Sequence, residues 1–364
     1  MSKIVISGYY GFKNAGDEAM LAAMIEVLSK LDDSLHITVI SGDPQDTIKR
    51  HGVRAVYWLN YYDIAKVIKN SDLVISGGGS LLQDVTSARS LYYYISIMVL
   101  GKMLGKRVML YAQGIGPITG KRAKQIMKLM GNKVDLITVR DEGSVEELAE
   151  LGITKTPIYC TADAVLAIEK VDKTVGQKIL AKYNIFNEPV IGISVREWYE
   201  WDHYKEVLAK VADEINVQLG AKVVFIPMQY PEDVKAAEKI AQKMQKDVII
   251  LNEEYNTSEL LSIVGNLDLL MGIRLHALIF AGVMGVPMIG ISYDPKIDRF
   301  LESIGEESTG CLLSLKPDKV IEQIKLKWQE KQTEKKDEVL LQKLKKAAFS
   351  NAELALGLIN KQLK

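Results

Sequence analysis

The chain has 364 residues, room for two domains with cores of their own, and its 48% hydrophobic and 25% charged content is ordinary for a globular protein. Lys plus Arg and Asp plus Glu each total 46, so the formal charge is zero; this argues against a strongly basic surface for nucleic acid but leaves open a local basic patch for a phospholipid surface. The two cysteines, Cys160 and Cys311, form neither a metal-type pair nor a disulfide framework.

The N-terminal run Met1-Ser2-Lys3-Ile4-Val5-Ile6-Ser7-Gly8 is too short for a signal peptide and leads straight into a strand. Apolar strands then alternate with helical patterns, the signature of parallel βαβ units. In the first half the predicted strands are 4–7, 36–41, 55–57, 73–76, 108–112, 136–139 and 157–160, with helices such as 17–31 and 64–69 between them. The most apolar stretch, 91–104, contains Lys102 and is too short to span a bilayer. In the second half strands are predicted at 190–195, 222–226, 248–251, 267–271 and 288–291, separated by helices 204–219, 231–243, 258–264 and 275–284. Between the halves, 169–188 is polar and charged and reads as a linker. The Lys-, Glu- and Leu-rich end reads as one or two amphipathic helices. The expected organisation is an α/β chain with two Rossmann-like parallel-sheet domains facing a central cleft: 1–168, a linker at 169–188, 189–330, and C-terminal helices over 331–364. The expected location is the cytoplasm, with peripheral contact at the inner membrane surface left open.

A weak internal repeat supports two similar halves. Asn70-Ser71-Asp72 before the run ending at Gly77 resembles Asn266-Leu267-Asp268 before the run ending at Gly272. It places Gly77-Gly78-Gly79 and Arg274-Leu275-His276 at equivalent strand ends, where open α/β sheets bind ligands.

Several strand-end loops carry polar residues suited to a site. The first is Gly8-Tyr9-Tyr10-Gly11-Phe12-Lys13-Asn14-Ala15-Gly16-Asp17-Glu18, which lacks both the dinucleotide fingerprint and the Lys-Ser/Thr ending of a P-loop. Glu18 reads as a helix-start carboxylate; Asp17 and Asn14 read either as caps or as partners for sugar hydroxyls beside two aromatic rings. In the second loop, Gly77, Gly78 and Gly79 follow a buried strand and expose backbone amides to a hydroxyl or oxyanion, or else make a tight crossover; Gln83 and Asp84 follow them. Gln113 begins the turn Gln113-Gly114-Ile115-Gly116-Pro117 and is expected to face the cleft. Arg140 is expected to form a structural ion pair with Asp141 or Glu142.

In the second half, Arg196 ends one strand, while Arg274 and His276 lie where another strand gives way to a helix. A cation is mildly unfavourable in the first turn of a helix, so an anionic ligand is the natural complement; hydrogen bonds to nearby carbonyls are the alternative. Two Arg and one His suit a small polyanion, and Arg forks complement either carboxylate or phosphate. Gln229 and Tyr293 end neighbouring strands and offer an amide and a hydroxyl there; Lys296 reads equally as a helix-start residue in solvent. No spaced His/Cys set or carboxylate-rich loop suggests a metal, and no serine-hydrolase elbow is present.

The Asn14-Ala15-Gly16-Asp17-Glu18, Gly77-Gly78-Gly79, Gln113-Gly114-Ile115-Gly116-Pro117 and Arg274-Leu275-His276-Ala277 segments occur in an order that resembles the polysaccharide pyruvyl transferase family, over roughly residues 1–315. The resemblance is nearest to bacterial members that pyruvylate the secondary cell-wall polymer anchoring S-layer proteins. It implies the two-domain architecture of B-type glycosyltransferases and phosphoenolpyruvate as a substrate, with no cofactor. The implied acceptor is the 4,6-diol of an N-acetylmannosamine residue on a lipid-linked precursor. Arg196, Arg274 and His276 become donor-site candidates, with Gln229 and Tyr293 beside them. Asn14, Asp17, Gly77, Gly78, Gly79 and Gln113 become acceptor-side candidates. His276 and Asp17 are the candidate proton-transfer groups, because ketal formation needs an acid and a base. The rivals are a nucleotide-sugar glycosyltransferase of the same architecture and a non-catalytic polysaccharide-binding protein.

Overall fold

The computed structural model describes residues 1–85, 87–198, 201–330 and 338–360. The chain divides into two compact units. Unit 1 holds 1–12, 17–168 and the chain from 343 on; unit 2 holds 13–16 and 169–342.

Unit 1 runs β1 (Lys3–Ser7), α1 (Ala15–Leu31, whose first two residues group with unit 2), β2 (His36–Ser41), α2 (Pro44–His51), β3 (Arg54–Tyr57), α3 (Tyr61–Lys69), β4 (Leu73–Ser76), β5 (Gly79–Leu82), α4 (Ala88–Met103), β6 (Arg107–Ile115), α5 (Lys121–Gly131), β7 (Leu136–Val139), α6 (Glu142–Glu150) and β8 (Ile158–Cys160). The strand order is β3-β2-β1-β4-β6-β7-β8, with β5 paired to β6, and every pairing is parallel. Parallel strands covered on both faces read as unbroken apolar runs, and all four residues of β4, Leu-Val-Ile-Ser, are buried.

Unit 2 runs α7 (Thr174–Lys182), β9 (Val190–Ser194), α8 (His203–Leu219), β10 (Lys222–Phe225), α9 (Glu232–Ala241), β11 (Ile249–Ile250), α10 (Thr257–Gly265), β12 (Leu269–Gly272), α11 (Leu275–Met284), β13 (Met288–Gly290), α12 (Pro295–Ser303), α13 (Pro317–Glu330) and the start of α14 (Glu338–Ile359). Its sheet is parallel, in the order β11-β10-β9-β12-β13. Local signals set many helix ends. Asn256 and Glu259 form a capping box at the start of α10, and Gly285, at φ 71°, closes α11.

The internal repeat has the same structural job in both units. Asn70 Nδ2 donates to the Lys66 carbonyl at the end of α3 (2.8 Å), and Asn266 Nδ2 to the Ser262 carbonyl at the end of α10 (2.8 Å). Two residues on, Asp72 accepts from the Lys3 amide at the start of β1 (2.8 Å), as Asp268 does from the Val190 amide of β9 (2.7 Å). Each Asn ends a helix, and each Asp ties the following strand to the first strand of its sheet.

Two expectations are corrected. The stretch 169–188 is no linker. It contains α7, which packs on α10, where the Gly176 amide donates to Ser262 Oγ (2.7 Å). The buried stripe of α7 is narrow (Gly176, Ile179, Leu180), so its composition stays polar. The glycine loop is part strand: β5 begins at Gly79 because β6 runs on to Ile115 and offers it an edge. The C-terminal segment, expected to be helical, contains α14, which from Lys343 onward belongs to unit 1. There Asn351, fully buried, accepts from Thr161 Oγ1 (2.8 Å) and donates to the Ala162 carbonyl (3.3 Å). Residues 331–337 and 361–364 of that expected region lie outside the described residues. Among the described residues, no helix is long and apolar enough to cross a membrane.

Candidate functional site

The carboxyl ends of four neighbouring strands of unit 2 collect the expected donor-side residues. Ser194 and Gly272 are register partners on β9 and β12; Arg196 lies two residues beyond the one and Arg274 two beyond the other. Gln229 follows β10 and Tyr293 follows β13, the next strands outward on either side.

Arg196 lies against two aromatic rings, Trp198 and Tyr293, that also pack on each other with their centroids 4.6 Å apart. Its Cζ lies 4.8 Å from the Trp198 ring centroid and 4.9 Å from that of Tyr293, and its Nη1 donates to the Tyr293 hydroxyl (2.6 Å). Its carbonyl accepts from the Tyr204 hydroxyl (2.9 Å), which fixes the backbone after β9. Arg196 Nε and Ser194 Oγ are buried with no hydrogen-bond partner among the described residues. Such atoms cost free energy unless a ligand satisfies them. Next to Arg196, Glu197 receives Lys205 Nζ (2.6 Å) and Lys239 Nζ (2.8 Å). Burial pushes this carboxyl up, but the two ammonium groups outweigh it and hold the group below its ordinary value.

Arg274 is the N-cap residue of α11, and its side chain makes no capping hydrogen bond to that helix. Its guanidinium is gripped on one edge by Asp233, through Nε to Oδ2 (3.0 Å) and through Nη2 to Oδ1, and Nη2 also reaches Gln229 Oε1 (3.3 Å). Asp233, 1% exposed, also accepts from the amides of Met228 and Gln229. One buried carboxylate thus fixes both the arginine and the loop after β10. In sequence Asp233 passes for an ordinary acidic residue in the first turn of α9. Only its distance in space from Arg274 reveals the role, and no local pattern carries that.

Residues 13–16 join this group. Asn14 forms an antiparallel bridge with Gln229, and the Ala15 amide donates to the Met228 carbonyl (2.8 Å). Asn14 Oδ1 accepts from the Gly16 amide (3.0 Å), so it caps the start of α1. Gly16 lies against the His276 ring, and a Cβ there would stand 2.5 Å from Cγ. Asn14, expected with the acceptor-side residues, is therefore grouped with Gln229 instead. Gly16 thus meets His276 in the first turn of α11, and a helix N-terminus attracts anions.

At the strand ends of unit 1 the chemistry differs. Tyr10 is fully buried, and its hydroxyl lies over Gly77. Burial first, then the carboxylates of Asp17 and Glu18, push its pKa well above the ordinary tyrosine value, so it remains a neutral donor. Glu18 accepts from the Gly11 amide (2.7 Å) and pairs with His51 Nε2 (3.1 Å), which makes it a structural brace of the first loop. Asp17 lies against Gly79: a Cβ on that residue, whose φ is 99°, would stand 3.2 Å from Asp17 Oδ1. Gly78 packs on Met20.

Gln113 is corrected. It is fully buried rather than exposed at the strand end, and its Nε2 donates to the carbonyls of Ser76 (3.2 Å) and Gly77, bracing the glycine loop. The positive φ of Ala112 (48°) and a register shift in the β6–β7 pairing break the alternation that would have pointed it outward. Asp84 accepts from the amides of Thr119 (2.8 Å) and Gly120 (2.7 Å) and serves as a loop clasp. Arg140 reaches Asp163 (3.3 Å), Asp141 (3.5 Å) and Ser80 Oγ (3.1 Å), a structural network as expected, with Asp163 added to it. Lys296 pairs with Asp294 (3.0 Å). Among the described residues, no group of three or more His, Cys, Asp or Glu side chains could hold a metal ion.

Residues 14–295 match the sequence profile of the family described as polysaccharide pyruvyl transferase. The chain is 25% identical over 258 residues to the amylovoran biosynthesis protein AmsJ of Erwinia amylovora; the match covers 65% of this chain and 60% of that protein, so this chain spans under two thirds of its relative's length. Among solved structures, the fold is similar to UDP-GlcNAc 2-epimerase from Methanocaldococcus jannaschii (TM-score 0.69, 14% identity, 98% of this chain and all of that one). It is also similar to Anabaena HepE in complex with UDP-glucose (TM-score 0.65, 11% identity, all of this chain and 99% of that one). At these identities the likeness concerns the fold alone.

Proposed function

Because the chain belongs to the polysaccharide pyruvyl transferase family, we propose that it transfers pyruvate from phosphoenolpyruvate to a sugar diol of a polysaccharide precursor, forming a ketal and releasing phosphate. The observation that carries this reading is the placement of Arg196, Arg274 and His276 at the carboxyl ends of neighbouring strands, beside a helix start. A ligand bearing both a carboxylate and a phosphate suits two guanidinium groups, each with part of its fork already fixed by protein.

The donor binds in unit 2. Arg196 presents a guanidinium oriented by Trp198 and Tyr293, and Arg274 presents the edge that Asp233 leaves open. Gln229 steadies Arg274, and His276 contacts the phosphate. The acceptor is held by Asp17, Gly77, Gly78 and Gly79 of unit 1, where buried tyrosine and carboxylates suit neutral hydroxyls better than anions.

In the reaction, the methylene carbon of phosphoenolpyruvate takes a proton and the C2 carbon gains oxocarbenium character. One sugar hydroxyl adds to C2, the C2–O bond to phosphate breaks, and the second hydroxyl closes the ketal. Two hydroxyl protons leave; one is matched by the proton on carbon and the other departs with phosphate. His276 transfers the proton on the donor side, and Asp17 accepts one from the acceptor. The specific acceptor in this reading is the 4,6-diol of N-acetylmannosamine on a lipid-linked precursor of a secondary cell-wall polymer, at the cytoplasmic face of the membrane.

The test is phosphate release from phosphoenolpyruvate, with and without a synthetic acceptor containing N-acetylmannosamine, for wild type and His276→Ala. Acceptor-dependent release that the substitution abolishes supports the reading. Turnover of a nucleotide sugar with no release from phosphoenolpyruvate would overturn it in favour of a glycosyltransferase. Sugar binding with neither turnover would leave a binding protein.

A further inference from the structure

The overall zero charge hides a strong asymmetry. Residues 49–133 hold fourteen Lys and Arg, three Asp and no Glu, a net charge of +11, which the rest of the chain balances. Among this segment's elements are α3, α4 and α5. These helices pack side by side, and their inner residues share one core cluster with Val5, Val74, Val108 and Leu110 of the sheet.

Their outward residues combine two properties. On α3, Tyr62, Lys66 and Lys69 fall at i, i+4 and i+7, one stripe, and all three are exposed. On α4, Arg89 and Tyr92 form an exposed i, i+3 pair. On α5, Lys121, Arg122, Lys124 and Lys128 are exposed together with Ile126 and Leu129. Tyr62 is 78% exposed and Leu129 57%, although neither need be so for the fold. The carboxylate among the outward α3 residues, Asp63, accepts from Asn60 Nδ2 (2.6 Å) at the helix start.

We infer that this α3–α4–α5 face is a membrane-docking surface that takes an anionic phospholipid bilayer. Cations alone would serve a soluble polyanion. Tyrosine and aliphatic side chains interleaved with them are what an interface of headgroups and acyl chains accommodates: amphipathic rings rest at headgroup level, aliphatic tips enter, and lysines neutralise phosphate. With no spanning helix among the described residues, attachment by this face is peripheral and reversible. The inference rests on this face alone and not on the donor chemistry.

The test is co-sedimentation of the full chain with vesicles of phosphatidylcholine, with and without phosphatidylglycerol, in the absence of any substrate. The expected result is binding only when phosphatidylglycerol is present, weakened about fivefold for each cation removed. Lys66→Glu/Lys69→Glu and Lys124→Glu/Lys128→Glu abolish it, and Tyr62→Ser/Leu129→Ser weakens it clearly. All of these residues are exposed, so the variants keep the wild-type thermal melt and the wild-type turnover of a soluble acceptor. Lys343→Glu/Lys346→Glu, on α14, leaves vesicle binding unchanged. Absence of vesicle binding by the wild type overturns the inference. So does binding lost through the α14 variant instead, and so does binding indifferent to Tyr62→Ser/Leu129→Ser, which would mark a purely electrostatic face for a soluble polyanion.

Discussion

Gly16 and His276 are in direct contact: the backbone of residue 16 lies flat against the imidazole, and a Cβ at that position would overlap the ring, 2.5 Å from Cγ. The two residues are 260 positions apart in sequence. Their contact ties the start of α1 to the start of α11 and sets where the histidine ring can sit.

Gly16→Ala is therefore expected to displace His276 rather than unfold the protein. A misplacement of about 1 Å in a catalytic group costs on the order of a hundredfold in rate. Acceptor-dependent phosphate release should fall by about that factor while the urea midpoint moves little. Unchanged turnover would remove His276 from the chemistry.

Asp233→Ala strands Arg274 with a partly buried and uncompensated charge, and it frees two backbone amides. Breaking one side of a buried pair costs about 3–5 kcal/mol. Urea unfolding should show a loss of that order. Arg274→Ala should destabilise the protein as well, because it leaves the carboxylate unpaired. A loss under about 1 kcal/mol in both variants would mean the pair is solvated and weak.

Tyr293→Phe keeps the ring under Arg196 but removes the 2.6 Å hydrogen bond to its guanidinium. One such bond is worth about 1 kcal/mol, so KM for phosphoenolpyruvate should rise roughly fivefold with kcat little changed. Trp198→Ala, which removes one of the two rings against the guanidinium and the neighbour of the Tyr293 ring, should cost more. Equal effects on kcat and KM in Tyr293→Phe would place the hydroxyl at the reacting atoms instead.

Glu197 sets a pH dependence. Its folded pKa lies below the ordinary value of 4.5, so its contribution to stability is complete above that value and is lost as pH falls through the lower native one. Urea midpoints of wild type should decline across this acid window. In Glu197→Gln the decline should be shallower, and stability at neutral pH lower. Parallel pH profiles for the two proteins would show that Lys205 and Lys239 do not hold the carboxylate.

Loss of activity in neither His276→Ala nor Asp17→Ala would remove both proton-transfer assignments. Loss in His276→Ala alone would place the base elsewhere among the acceptor-side groups, with the neutral Tyr10 hydroxyl as the adjacent donor.

Much of this fold was legible because its signals are local. The apolar run before Arg274 and the small-residue run after it identify a buried strand and its helix, and α11 spans Leu275–Met284 as that run predicts. Asn70–Asp72 and Asn266–Asp268 announce a repeat because each motif performs its helix-ending and strand-tying role within its own βαβ unit. The narrow buried stripe of α7 was hidden by its charged outer face, and β5 was hidden because its strand character comes from the edge that β6 lends it.

By itself the sequence determined the two parallel-sheet units, the strand ends where Arg196, Arg274, Gln229 and Tyr293 gather, and the family. Periodicity, capping and strand-end chemistry act over a few residues and need no partner. Tertiary structure alone decided that Asp233 grips Arg274, that residues 13–16 belong with His276, and that Gln113 faces inward. Each of these depends on a buried contact between distant segments, where desolvation forces polar groups to find one another and close packing forbids even one methyl group.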